Sequence, residues 1–189
     1  IIAVITAVIV YNQAGYSNNL SLTNTATDLE LILREAQSYS IAVREFAATT
    51  DEFNVAYGVS FNLGNQGSSN TSYLSFVDRG VLNSYYDTPL VCTPGSLSEC
   101  LGRIQLSGKN IISDICVIRA NNQEQCTPSI GRIDISFLRP SPDAVMSFFN
   151  SGGNLVSHVG YRGARIEIQS PNGTKQNVYV YTNGQISVQ

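Results

Sequence analysis

Residues 27–47 read TDLELILREAQSYSIAVREFA, and the reading of this stretch decides the fold. Leu29, Ile32, Leu33, Ala36, Ser40, Val43 and Ala47 recur at helical spacing, while Arg34, Glu35, Ser38 and Glu45 fall elsewhere on the wheel. Thr27-Asp28-Leu29-Glu30 fits a capping box, with Thr27 as N-cap and Glu30 reaching back from the third helical position. The pattern predicts an amphipathic helix over about 28–48 with an apolar stripe that needs a surface to cover. Asp28, Glu30 and Glu35 then read as helix-start charges that complement the macrodipole.

Toward the N-terminus lies a run of a different kind. Nine of the ten residues of IIAVITAVIV (1–10) are aliphatic. As a helix the run covers about 15 Å, half of a bilayer core, so it is either the end of something longer or a part buried against other chains. Between the run and the helix, GYSNNLSLTNT (15–25) is poor helix material. Glycine costs about 1 kcal/mol relative to alanine, and Asn, Ser and Thr compete for backbone hydrogen bonds. The sequence therefore predicts a break near 16–25, at least partly unwound in an assembled state, and a chain beginning near Thr27 that folds as a soluble monomer.

Beyond residue 53 the periodicity falls to two and turn signals recur. FNVAYGVSFNL, YLSFV, RIQLS, ISDICVI, GRIDISFLRP and AVMSFF read as strands. At the C-terminus, ARIEIQ, NVYVYT and QISVQ, separated by Pro171-Asn172-Gly173 and Asn183-Gly184, read as a three-stranded antiparallel meander, with Val178 and Val180 on one face and Tyr179 and Tyr181 on the other. The fold class is α+β, with a long N-terminal helix over 1–50 and a β-rich head over 51–189 built on an antiparallel sheet.

Charged residues make up 13% of the chain, about half the usual share, which suits a protein outside the cell or one packed against copies of itself. Net charge is −3, too mild for a polyanion partner for the whole molecule. The charge is uneven: residues 1–100 hold three basic and nine acidic groups, and residues 101–189 hold eight and five. Head-to-tail association is one use of such asymmetry. The four cysteines lack zinc-site spacing, and one histidine adds little. Cys92 with Cys100 and Cys116 with Cys126 each bracket turn-rich sequence, so two local disulfides are expected, with buried free thiols as the alternative. Disulfides favour an oxidising, extracytoplasmic setting.

An apolar helical start, an amphipathic helix and then antiparallel strands follow the order of type IV pilins and type II secretion pseudopilins. IIAVITAVIV, LELILREAQSYSIAVRE, YGVSFNL with SYLSFVDRG, and ARIEIQSPNGTKQNVYVYTNGQISV together resemble the H-type minor pseudopilin branch of that family. The resemblance implies a pilin-like fold and roughly a dozen further N-terminal residues ahead of Ile1. It implies a structural subunit of an extracellular type IV pilus-like filament at the cell surface, assembled by pilus machinery and held in the membrane beforehand. Ile1, Ile2, Val4, Ile5, Val8 and Ile9 are then the filament-core residues, and copies of the same chain the partners. Alternatives within the resemblance are a minor pseudopilin of a secretion pseudopilus and a DNA-capturing pilin.

Signals for chemistry are sparse. GRIQLSGKN (102–110) fails as a P-loop, because five residues separate its glycines and Asn110 stands where Ser or Thr is required. His158 has no local partner for a catalytic triad, so no enzyme activity, catalytic residue or cofactor is expected. Asp78, Asn83 and Asp87 are hard oxygen ligands without EF-hand spacing, and no metal site is expected from them. Arg162, Arg165 and Lys175, near Tyr161, Tyr179 and Tyr181, are the residues that a nucleic-acid strand would touch; a solvated strand edge is the default. Asn19, Asn70 and Asn172 begin N-glycosylation triplets.

Overall fold

The computed structural model describes residues 2–42, 55–65, 68–88, 91–95, 98–126, 130–157 and 160–189, with side chains from Gly15 onward. Among the described residues one α-helix, α1 (Ile2–Ile41), precedes eleven strands. These are β1 (Tyr57–Asn62), β2 (Ser72–Val77), β3 (Cys100–Gln105), β4 (Ile111–Arg119), β5 (Glu124–Gln125), β6 (Arg132–Phe137), β7 (Ala144–Phe149), β8 (Leu155–Val156), β9 (Tyr161–Gln169), β10 (Lys175–Tyr181) and β11 (Ile186–Val188).

The strands make two sheets where the sequence suggested one. The first has the order β3-β2-β1-β6-β7-β8 and the second β11-β10-β9-β4-β5. Every pairing is antiparallel. Alternation sends Val59, Phe61, Ile133 and Ile135 inward from the first sheet, and Ile115, Val117, Ile166 and Val180 inward from the second, into one core. The expected meander is present. Val178 and Val180 are fully buried, Tyr179 and Tyr181 half-buried, and the turn glycines Gly173 and Gly184 have φ of 86° and 79°.

Helix α1 closes the core along its edge. Leu22, Ala26, Leu29, Leu33 and Ala36, spaced four, three, four and three residues apart, are all buried. They reach strands of both sheets, β1 and β6 of the first and β9, β10 and β11 of the second. The expected stripe is therefore present, and it starts earlier than the sequence indicated. Residues 43–48 of the predicted helix lie outside the described residues.

The predicted break is absent from the single chain: residues 16–25 are helical throughout, and Thr27 sits mid-helix instead of capping a new start. Two physical reasons account for this. The threonine hydroxyls satisfy themselves inside the helix, Thr23 donating to the Asn19 carbonyl at 3.1 Å, Thr25 to Ser21 at 2.8 Å and Thr27 to Thr23 at 2.9 Å. Tertiary contacts then outweigh weak propensity, since Leu22, Thr25 and Ala26 are buried against the head. A chain beginning at Thr27 would lack Leu22, Thr25 and Ala26 of this seam. Asp28 and Glu35 are likewise not helix-start charges, because the helix begins far upstream of them.

The stretch that mimics a P-loop is the clamp on this part of α1. After β3, a short turn of 3-10 helix at Ser107–Lys109 brings Gly108 against the helix, with φ of 64°. A Cβ on Gly108 would lie 1.9 Å from Ser21 Oγ and 2.7 Å from Ser21 Cβ. Asn110, fully buried, donates from Nδ2 to Thr25 Oγ1 at 2.8 Å, and Thr25 Oγ1 also meets Ser107 Oγ at 2.8 Å. Glycine is needed here both for the left-handed conformation and for the close approach. The G108A substitution is therefore expected to destabilise the protein by about 1–3 kcal/mol. Urea unfolding measures this, and an unchanged midpoint would show that α1 does not depend on the clamp.

Candidate assembly surfaces and the charged clusters of the head

Among the expected filament-core residues, Ile2, Val4, Ile5, Val8 and Ile9 lie on the backbone of α1, while their side chains and all of Ile1 fall outside what is described. Burial in the described part of α1 begins at Leu22, and Tyr16 and Leu20 are 72% and 50% exposed. The helix continues N-terminally from Leu22 for about 30 Å at its ordinary rise. Among the described residues no helix is long and apolar enough to cross a membrane.

Both expected disulfides are formed, Cys92 with Cys100 and Cys116 with Cys126. Each sits on the outer face of a different sheet, beside a cluster of charge. On the first sheet, alternation that sends Ile133, Ile135 and Phe137 inward sends Arg132, Asp134 and Ser136 outward, yet all three are buried. Ser84 and Tyr86 cover them, and a small second cluster of Leu74, Phe76, Tyr86 and Cys100 lies beside them. Arg132 pairs with Asp134 at 2.6 Å and lies over the Phe149 ring at 3.7 Å. It also donates to the Tyr86 carbonyl at 2.9 Å, while the Tyr86 amide donates to Asp134 at 3.0 Å. Complete burial pushes the Asp134 carboxyl above its usual range, with the charge and hydrogen bonds of Arg132 opposing it.

Two further carboxylates fasten the same segment through backbone amides. Asp78 accepts from the Ser84 amide at 2.7 Å, and Glu99 accepts from the Asp87 amide at 2.8 Å. Burial raises the pKa of both. Asn83 donates to Asp87 at 2.7 Å within the same turn. This second, polar-lined face of the first sheet escaped the sequence reading. Its signal is the Arg-Ile-Asp-Ile-Ser-Phe alternation, in which charge recurs on the face opposite the core.

On the second sheet, Arg165 stands opposite Cys116 in register. Its guanidinium meets Glu124 at 2.9 Å, Glu167 at 3.1 Å and Asp114 at 3.6 Å, and donates to Asn177 at 3.0 Å. Burial opposes the charge, but the hydrogen bond and charge of Glu124, with Glu167 and Asp114, raise the Arg165 pKa overall. Burial also disfavours ionised Glu167, yet hydrogen bonds from Lys175 and Ser113 and the charges of Lys175 and Arg165 hold its carboxyl below the usual range. Asp114, Cys116 and Cys126 bring ligand atoms within 4.8 Å of one another. Both sulfurs belong to the disulfide and Arg165 fills the space between, so the donor set does not suit a cation.

This arrangement bears on the residues singled out for nucleic acid. Arg165 is committed to carboxylates, and Lys175 pairs with Glu167 at 2.8 Å. Arg162 alone of the three turns to neutral partners, Asn122 at 2.8 Å and the Tyr181 ring at 5.8 Å. The trio does not form one open cationic surface. His158 lies outside the described residues.

Recesses of three sizes matter on the described surface. Two, of about 270 and 280 Å³, follow one another between α1 and strands β1 to β3; Ile32 and Glu35 line both. Asp28, Leu31 and Tyr73 border the second, and burial followed by the charges of Asp28 and Glu35 pushes the Tyr73 hydroxyl up to about 12. A third recess, of about 380 Å³, is lined by Arg162, Tyr181, Thr182, Asn183 and Gln185. No protein-family model, curated protein or solved structure matches the chain.

Two predictions follow from the charge clusters. Asp134→Ala leaves Arg132 buried without its carboxylate, and unfolding stability should fall by about 3–5 kcal/mol; a loss below about 1 kcal/mol would show that the pair is dispensable. Arg165→Leu should cost about 1.5–3 kcal/mol at pH 7. Because Glu167 titrates lower in the folded state than its ordinary 4.5, its contribution is present above that value and fades as pH falls through the lowered one. The gap between wild type and R165L should therefore narrow on acidification, and urea midpoints from pH 7 to pH 3 check this sign.

Proposed function

We propose that this chain is a structural subunit of an extracellular type IV pilus-like filament and not an enzyme. The observation that carries the reading is the division of labour along α1, a single helix of 40 residues. Its second half supplies the buried seam of the head, from Leu22 to Ser40. Its first half carries the aliphatic sequence of residues 2–10, more apolar side chain than a surface helix has reason to carry. Such a helix packs with copies of itself in a filament core, where Ile1, Ile2, Val4, Ile5, Val8 and Ile9 interdigitate, and the heads form the outer layer.

Before assembly the run is held in the membrane. Transfer from lipid to a helix bundle gains by packing more than by escape from water. The two disulfides suit a head that folds and remains in an oxidising space. A minor pseudopilin at the tip of a secretion pseudopilus uses the same parts in smaller numbers.

Electron microscopy of sheared surface filaments, labelled with an antibody to the head, tests the proposal. Labelling along the filament identifies a major subunit, and labelling at one end a minor one. Ile5→Asp with Ile9→Asp should abolish incorporation while the unfolding midpoint of the head stays within about 0.5 kcal/mol of wild type. Normal incorporation of that double variant would overturn the proposal.

A further inference from the structure

The geometry points to a second, electrostatic contact between copies: the groove beside α1 of one head receives the Arg119–Arg162 edge of the next. This inference rests on the filament reading. In the groove, Asp28 and Glu35 are exposed and have no cation within ion-pair distance among the described residues. Glu35 accepts a hydrogen bond from the Tyr39 hydroxyl at 2.5 Å, which fixes its direction. Beside these acids lie Leu31 and Leu101, 58% and 36% exposed. The groove thus offers two unneutralised carboxylates against an apolar lining, while the other acids of the head with described partners, such as Asp134, Glu124 and Glu167, are neutralised locally.

The opposite flank shows the converse. Arg119 ends β4 and is registered against Tyr161, the residue before Arg162 on β9. Both guanidiniums are exposed, and their hydrogen-bond partners are neutral amides, Gln125 for Arg119 and Asn122 for Arg162. The recess of about 380 Å³ beside Arg162 leaves room for an approaching side chain.

Height along α1 brings the two surfaces into line. Gln37 donates to the Gly184 carbonyl at 2.9 Å, and the Thr182 amide donates to the Arg162 carbonyl at 2.9 Å, so Arg162 lies near the level of Gln37. Glu35 is two residues away, about 3 Å along the axis, and on the other side of the wheel. A copy displaced sideways with parallel α1 therefore sets its Arg162 edge against the neighbour's Glu35 groove. A two-fold pairing of either surface with itself would place acid on acid or base on base. The contact is heterologous, and a heterologous contact propagates into a ring or a filament.

The test uses the 189-residue chain held in detergent and released by dilution, with assembly read by sedimentation and negative-stain microscopy. Glu35→Arg and Arg162→Glu are each expected to raise the concentration for half-assembly about tenfold at about 50 mM salt, and the double reversal to return it to within about threefold of wild type. Arg119→Glu should weaken assembly as Arg162→Glu does, and all these differences should shrink at about 0.5 M salt. Equal assembly of wild type and every variant removes this contact and leaves the filament reading in place, as does a double reversal no better than the weaker single. No polymer from wild type under any detergent condition overturns both.

Discussion

The seam along α1 is the constraint on which the rest of the structure depends. Two antiparallel sheets present their inner faces to one core, and a single helix touches strands of both. Without Leu22, Ala26, Leu29, Leu33 and Ala36, apolar side chains of both sheets would face water along one edge, and burial of each such residue is worth about 1.5–3 kcal/mol. Polar bonds set the register of the seam. Asn110 holds Thr25 at one end, and at the other Gln37 donates to the Pro142 and Gly184 carbonyls, both at 2.9 Å. Apolar burial supplies the attraction, and these directional bonds fix where along the helix it acts.

The outer faces of the sheets are secured in parallel fashion. On the first, Cys92–Cys100 and the Arg132–Asp134 pair hold Tyr86 over apolar and ionic side chains together. On the second, Cys116–Cys126 ties the short β5 to β4, and Arg165 collects Glu124 from that strand with Glu167 from β9. In each case a covalent link limits the unfolded chain while charges select one arrangement of the folded one. This consumes much of the head's charge internally. Among the described residues, Asp28 and Glu35 on α1 and Arg119 and Arg162 on the second sheet are exposed charges without an opposite charge in ion-pair reach, and they are available to a neighbour.

Much of this was legible in the sequence because it is local. Period-two alternation placed the main strands, Asn-Gly turns placed the final meander, and short loops chose the cysteine pairs, since each depends on residues a few positions apart. The amphipathic stripe from Leu29 to Ala36 was legible for the same reason. Contacts between distant stretches were not legible. The polar run from Gly15 to Thr25 argued for a break, which the single chain does not have, and RIQLS read as a strand with no sign of the clamp that follows it, because neither stretch shows by itself that the two lie against each other.

The sequence by itself determined an α+β chain with an aliphatic N-terminal run, an amphipathic helix, antiparallel strands and two small disulfide loops. Tertiary structure alone decided that the strands divide into two sheets and that α1 is unbroken across residues 16–25. It also decided that Arg165 and Lys175 pair with carboxylates while Arg162 has only neutral partners among the described residues. The physical reason is the same throughout. Propensity differences of a few tenths of a kcal/mol per residue and bare formal charges are weak local terms, and burial and pairing across the fold override them, over 82 and 85 positions at Thr25 and over 41 between Arg165 and Glu124.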